Sequence, residues 1–89
     1  MSPLEETLER LDMTDMPCII SRRPGSAIIT RAGGMQVLLR DIGERLVEII
    51  YERYLHDDGR EECEPARAAL IARAILSRKR LEPVTLPRE

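Results

Sequence analysis

The sequence predicts a small α+β fold, and three local patterns carry this prediction. A capped amphipathic helix begins at the N-terminus, two β-branched runs flank a Pro-Gly pair, and a long segment of periodic apolar residues spans 35–57. At 89 residues the chain is expected to form one domain. The expected order is an N-terminal helix, a β-hairpin, a long central helix and an antiparallel C-terminal helix within residues 1–82, followed by an extended tail over 83–89.

The N-terminal segment has the signals of a helix start. Ser2 can cap the helix, Pro3 suits its first position, and Glu5 stands where a capping-box glutamate belongs. Leucines line one face and acidic residues the other, and the helix is expected to end near Met13. A helix this short is unstable alone, so its leucines must dock on the rest of the chain.

Residues 18–31 predict an antiparallel hairpin, because two isoleucine-containing runs lie on either side of a Pro-Gly turn. Pairing of Arg23 with Ser26 would place Ile20 opposite Ile29. Proline at the first turn position is unusual in the mirror-image turns that two-residue hairpins prefer, so a bulge or a longer loop is the alternative.

The segment from Met35 to Asp57 is expected to form the long central helix. Its apolar residues recur in steps of four and three, as on one face of a helix, and Arg40 and Glu44 have the spacing of a helical ion pair. Gly43 is either a tolerated mid-helix glycine or a point where another backbone approaches closely. The expected seam contains Met35, Leu39, Ile42, Leu46 and Ile49.

The last third of the chain predicts a second helix that begins at Pro65. It is rich in alanine, which favours helix, and the short acidic connection over residues 58–64 would fold it back antiparallel on the central helix. Its basic end carries Arg78, Lys79 and Arg80, where cations suit the helix dipole.

The apolar residues are aliphatic and few, which predicts self-association. Leu, Ile, Val and Met total 27 residues, and Phe and Trp are absent. Because a chain this short builds only a thin core, a wide apolar face is expected to be covered by a second copy. The leading hypothesis is therefore a non-enzymatic interaction or regulatory module acting as a homodimer. The candidate interaction residues are Met35, Leu39, Ile42, Leu46, Ile49, Arg78, Lys79 and Arg80.

Arginine placement supports the alternative, a nucleic-acid-binding transcriptional regulator. Arginines on the hairpin and the last helix could meet phosphates. The net charge of −2 and the scarcity of aromatic side chains that stack on bases argue against it. The chain has thirteen arginines, one lysine and no asparagine, a bias typical of a GC-rich, bacterial genome.

The remaining site types find little support, and no enzyme, cofactor or metal site is expected. The acidic stretch around Gly59 fails the calcium-loop pattern, because Pro65 stands where the last glutamate ligand belongs. One histidine and two cysteines do not make a zinc site or a disulfide framework. The chain shows no secretory signal and no apolar run long enough to span a membrane, so the cytoplasm is expected.

Overall fold

The fold was analysed in a computed structural model, which describes residues 2–11, 14–31, 35–54, 57–78 and 86–87. Two helices enclose five consecutive strands in the chain. The elements are α1 (Pro3–Arg10), β1 (Cys18–Arg23), β2 (Ser26–Arg31), β3 (Gln36–Gly43), β4 (Leu46–Tyr54), β5 (Asp57–Cys63) and α2 (Pro65–Ser77).

The five strands form one antiparallel sheet in which each strand pairs with the next along the chain, in the order β1-β2-β3-β4-β5. Both helices contact the same sheet strands, β3 and β4, and each other. The core lies between the helices and this inner face of the sheet. Its fully buried side chains include Ile29, Val37, Leu39, Val47, Ile49, Ile71, Ile75 and Leu76.

The N-terminal helix is confirmed, together with its cap. The Ser2 hydroxyl accepts a hydrogen bond from the Glu5 backbone N–H at 3.2 Å. The Leu4 N–H donates to Asp41 Oδ1 at 2.7 Å, so a carboxylate of β3 satisfies a second free donor of the first turn. The helix ends at Arg10, before the expected residue 13. Leu4 and Leu8 are buried in the core, as the amphipathic pattern predicted.

The hairpin is also confirmed, and it has the simpler of the registers that the sequence left open. Arg23 pairs with Ser26 and Ile20 with Ile29, so the loop is only Pro24 and Gly25. Gly25 has a φ of 76°, a left-handed conformation that glycine adopts without a steric cost. A proline followed by such a glycine is the arrangement of a type II turn.

The prediction of a long central helix over Met35 to Asp57 is wrong, because this segment contains β3 and β4. β4 is rich in β-branched residues and tyrosine, which favour strands, whereas β3 contains only Val37 and Ile42 of this kind. The apolar residues follow the two-residue period of a strand: Val37 and Leu39 face the core on β3, and Val47 and Ile49 face it on β4. Half-buried Leu38 and Ile50 lie on the opposite face, and these extra apolar positions imitate a helical pattern.

The turn between β3 and β4 lacks the usual Asn-Gly signal, because its two loop residues are unusual for its geometry. Gly43 pairs with Leu46, which leaves Glu44 and Arg45 as a two-residue loop. Their φ values are 54° and 62°, and two positive φ angles define the type I′ turn that Asn-Gly normally forms. A side chain in this region costs roughly 1–2 kcal/mol per residue. Arg40 was expected to pair with Glu44 within a helix. It pairs instead with Glu48 on the neighbouring strand, at 2.7 Å.

The acidic connection expected after the central helix forms strand β5 instead. It pairs with β4 along its length, with Val47 opposite Cys63 and Ile50 opposite Arg60. Backbone pairing with a neighbour that is already ordered can stabilise a strand whose own composition is unfavourable, since strand preference depends strongly on context.

The C-terminal helix is confirmed as α2, but its packing partner differs from the prediction. It lies on β3 and β4 and beside α1, not on a central helix. Of the expected tail, Leu86 packs against the core, and the Pro87 carbonyl accepts a hydrogen bond from Arg67 Nη1 at 3.1 Å. Gly33 and Gly34, which precede the segment expected to form the central helix, lie outside the described residues, as do Lys79 and Arg80.

The strained β3–β4 turn predicts that Glu44→Asn combined with Arg45→Gly stabilises the protein. Asparagine and glycine adopt positive φ at low cost, so the free energy of unfolding should rise by about 1–2 kcal/mol. Chemical denaturation measures this change. The matched control is Glu44→Gln combined with Arg45→Gln, which removes the same charges but keeps the strain. An equal rise in both variants would show that charge, and not backbone conformation, is responsible.

Candidate functional site: the β1 edge and the outer sheet face

Strand β1 forms one edge of the sheet, and all six of its residues are exposed or half-buried. Ile19 is 72% exposed and Ile20 is 40% exposed. Consecutive strand residues point to opposite faces, so the two isoleucines present apolar surface on both sides of the edge. An exposed apolar edge strand is a template on which another strand can pair.

The hydrogen-bond pattern shows which backbone groups of β1 point away from the sheet. Asp41 N–H donates to the Gly25 carbonyl at 2.9 Å and Arg31 N–H to the Met35 carbonyl at 2.8 Å, so the odd-numbered residues of β2 bond to β3. The even-numbered residues of β2 therefore bond to β1, through Ile19, Ser21 and Arg23. The N–H and C=O groups of the remaining β1 residues, Cys18, Ile20 and Arg22, point towards the open edge. Within the described residues, no other strand pairs there.

Arg22 lies on this edge, but its charge is already engaged. Its Nη1 atom lies 3.0 and 3.1 Å from the two carboxylate oxygens of Glu5 on α1. This ion pair connects α1 to the edge strand across an exposed groove that Leu8 and Glu9 also line. The β1 edge is therefore less basic than its sequence indicates.

The outer face of the sheet is the face opposite the helices, and it carries a short aliphatic row. Ile28 lies opposite Leu38, and Leu38 lies opposite Ile50, so the three side chains are neighbours on β2, β3 and β4. All three are half-buried. Beside this row, the Glu48 side chain is only 5% exposed, and Arg40 and Arg60 approach its carboxylate to 2.7 and 3.7 Å.

The other edge strand, β5, has the opposite character. Its seven residues include four acidic residues and one arginine. Its pairing with β4 also contains a register shift between Glu52 and Tyr54. Charged residues and bulges are the common means by which proteins discourage pairing at a sheet edge. The two edges therefore differ: β1 is suited to pairing and β5 is not.

The residues of the predicted interaction seam lie on or beside β3 and β4, and most of them are buried in the core. Met35, Leu39 and Ile49 are buried in the core, at 5%, 0% and 0% exposure, so they offer no surface to a partner. Ile42 and Leu46 are half-buried near the strained turn. Sequence reasoning placed Ile19 and Ile20 in the hairpin but did not identify them as a surface. Their signal was an apolar run on the first strand of a sheet, which is an edge in any simple meander.

Several of the basic residues proposed for phosphate binding are engaged in separate places, whereas Arg23 is exposed. Arg73 on α2 pairs with both carboxylate oxygens of Asp15, at 2.9 and 3.0 Å. Arg31 donates to the Leu76 carbonyl at 2.6 Å. Arg78 is buried, with 8% exposure. Together with the Arg22–Glu5 pair, these contacts leave no continuous basic face among the predicted arginines that the structure describes.

A second groove, of about 390 Å³, lies between β5 and the start of α2. Arg67 closes one side through a two-point contact with Glu61, at 2.6 and 3.2 Å. The buried Cys63 thiol lines the groove, but its burial and the neighbouring Glu61 raise its pKa from 9.0 to about 11. The thiol is therefore protonated near neutral pH, and the groove lacks the thiolate that a cysteine nucleophile requires.

The described residues contain no group of three or more histidine, cysteine, aspartate or glutamate side chains placed to hold a metal ion. Neither Cys18 nor Cys63 forms a disulfide. In the part of the chain that the structure describes, neither helix is long and apolar enough to cross a membrane.

No protein-family model, curated protein or solved structure matches this chain.

The raised pKa of Cys63 predicts a loss of stability at alkaline pH. The unfolded thiol ionises near 9.0 and the folded thiol near 11, so ionisation increasingly favours the unfolded state as pH rises between these values. Urea denaturation at pH 8 and pH 10.5 should show a smaller decrease in unfolding free energy for Cys63→Ala than for the native protein. Equal decreases in the two proteins would contradict the assigned pKa.

Proposed function

We propose that this chain is a non-enzymatic protein-interaction or regulatory module that acts as a small homodimer in the cytoplasm. The observation that carries the proposal is the β1 edge, where two exposed isoleucines flank backbone groups directed away from the sheet. Exposed apolar surface next to unpaired strand backbone is characteristic of surfaces that bind another chain.

Neither of the two described grooves places a nucleophile next to a base, and this supports a binding role over catalysis. The groove beside α2 contains a protonated thiol and an arginine that is paired with a glutamate. The groove beside α1 contains a second arginine–glutamate pair. Neither presents a nucleophile next to a base, the arrangement that covalent catalysis requires.

The first test measures self-association. We now place the proposed interaction site on β1 instead of on the seam predicted for a central helix. Sedimentation at micromolar concentration should give about twice the chain mass of 10.2 kDa. The double variant Ile19→Ser and Ile20→Ser should sediment as a folded monomer, because it removes the apolar surface of the edge.

Leu70→Ser is the matched control for this test, because Leu70 is 58% exposed on α2, away from β1. It should leave the dimer intact. A native protein that sediments as a monomer with a cooperative melt would refute the homodimer. A dimer that only Leu70→Ser dissociates would place the interface on α2.

Nucleic-acid binding is the competing hypothesis, and its salt dependence allows a direct test. Phosphate contacts weaken steeply as salt increases, so a binder should shift random duplex DNA at 50 mM salt and lose most of its affinity at 200 mM. We expect no shift at either concentration, because the described arginines named above, apart from Arg23, are engaged within the chain.

The variant for this second test combines Arg23→Gln, Lys79→Gln and Arg80→Gln. It removes the exposed Arg23 and the two cations that follow Arg78 in the sequence, and it spares the buried Arg78. If the native protein shifts DNA and this folded variant does not, nucleic-acid binding becomes the better assignment. If both shift DNA equally, the contact involves other arginines.

A further inference from the structure

We infer that the partner at the β1 edge is the β1 strand of a second copy, paired antiparallel about Ile20 to give a continuous ten-stranded sheet. This inference rests on the homodimer proposed above and names its interface and register. It follows from three properties of β1: the direction of its backbone groups, the order of its side chains and its charge.

The alternation of side chains limits the possible registers. Residues that lie opposite each other in an antiparallel pair point to the same face of the sheet. Ile20 lies opposite inward-facing Ile29 and therefore points to the inner face, whereas Ile19 and Ser21 point to the outer face. In a continuous sheet, inner-face residues of one copy must lie opposite inner-face residues of the other. The central pair is therefore one residue facing its own counterpart.

The backbone then favours Ile20 as that residue. Cys18, Ile20 and Arg22 carry the outward N–H and C=O groups. When Ile20 faces Ile20 of the second copy, Cys18 faces Arg22 at each end of the strand. All three outward residues then form hydrogen-bonded pairs. Centring on Ser21 would place Cys18 opposite Pro24, which has no N–H to donate, and one of these pairs would be lost.

The side chains agree with the same register. On the inner face, the two Ile20 side chains cover each other at the centre. On the outer face, each Ile19 lies opposite the small Ser21 of the other copy. Within each copy, Ser21 lies opposite Ile28, the first residue of the aliphatic row on the outer face. Only the Ser21 position of the partner therefore separates Ile19 from that row. Ile19 is 72% exposed in the single chain, and pairing with the second copy would cover part of it. The opposing Ser21 is small enough to leave space for the isoleucine side chain.

The charges along β1 allow the β1 strand of a second copy to pair there, and they do not favour an acidic strand over it. Arg22 is neutralised by Glu5 within its own chain, at 3.0 Å. In the proposed register the two copies' Arg22 residues lie at opposite ends of the paired segment, so like charges are not opposed. The acidic β5 edge of another copy is a poorer occupant, because pairing would bring its carboxylates beside Ile19 and Ile20 and remove them from water.

Cysteine crosslinking tests the register directly. The background replaces the native thiols by Cys18→Ser and Cys63→Ala, and single cysteines are added as Ile19→Cys, Ile20→Cys or Ser21→Cys. Directly opposed residues have Cα atoms about 5.5 Å apart, which suits a disulfide, whereas diagonal neighbours are about 7–8 Å apart. Under mild oxidation, Ile20→Cys should form the covalent dimer at least about tenfold faster than the other two.

A mixture of the Ile19→Cys and Ser21→Cys proteins provides the matched control. These residues lie opposite each other in the proposed register, so the mixture should crosslink between the two proteins faster than either protein crosslinks with itself. If Ile19→Cys or Ser21→Cys alone crosslinks fastest, the register is overturned.

The variant Ile20→Lys keeps the test informative if a cysteine variant folds poorly. It places a charge at the centre of the interface but on an exposed side chain of the single chain. The variant should keep its circular dichroism spectrum and melt cooperatively, while its dimer dissociation constant rises at least about tenfold.

Three results separate the two levels of the proposal. A native dimer that persists in Ile20→Lys, with none of the cysteines crosslinking, overturns the β1 interface but leaves the homodimer. Concentration-dependent oligomers larger than a dimer would favour open-ended pairing of β1 with β5 and overturn the closed arrangement. A native monomer refutes the proposed homodimer itself and the interface with it.

Discussion

The number of helices available to cover the sheet determines what this protein exposes. Five strands present two faces and two edges, but the described elements include only two helices, and both lie on the inner face. That face contains the fully buried side chains, including Val37, Leu39 and Ile49. The outer face must then stabilise itself with half-buried aliphatic side chains and with arginines placed over Glu48. Among the described residues, no further strand covers either edge, and β5 carries more charged side chains than β1.

This constraint explains why α1 matters beyond its small size. The Leu4 N–H donates to Asp41 on β3, and Glu5 binds Arg22 on β1, so one helical turn contacts both the centre and the edge of the sheet. The first contact fixes the helix where Leu4 and Leu8 can enter the core. The second pairs the charge of an edge residue with a carboxylate of its own chain. A single ion pair on the surface contributes little stability, so its consequence for the edge is electrostatic more than structural.

The sequence was informative wherever a local signal fixed the backbone. Ser2 and Pro3 marked α1, Pro24 and Gly25 marked the first turn but left its register open, and Pro65 marked α2. The centre of the chain lacked such signals, because Glu44 and Arg45 form a turn that usually contains Asn-Gly. Without a recognisable turn, two adjacent strands with apolar residues on both faces resembled one amphipathic helix. The error then moved the predicted interaction seam into residues that the core requires.

The same error shows how an apolar pattern can identify the core and still misplace a binding surface. Met35, Leu39 and Ile49 were correctly recognised as important apolar positions, but burial within the chain and burial against a partner produce the same pattern in a sequence. Topology separates the two cases. A strand in the middle of a sheet has both backbone edges paired, so its apolar side chains can be fully enclosed. An edge strand has one unpaired side, and its apolar side chains remain partly exposed however well the chain folds. On this argument Ile19 and Ile20, on the first strand of a meander, are better candidates for a partner than any residue of β3 or β4.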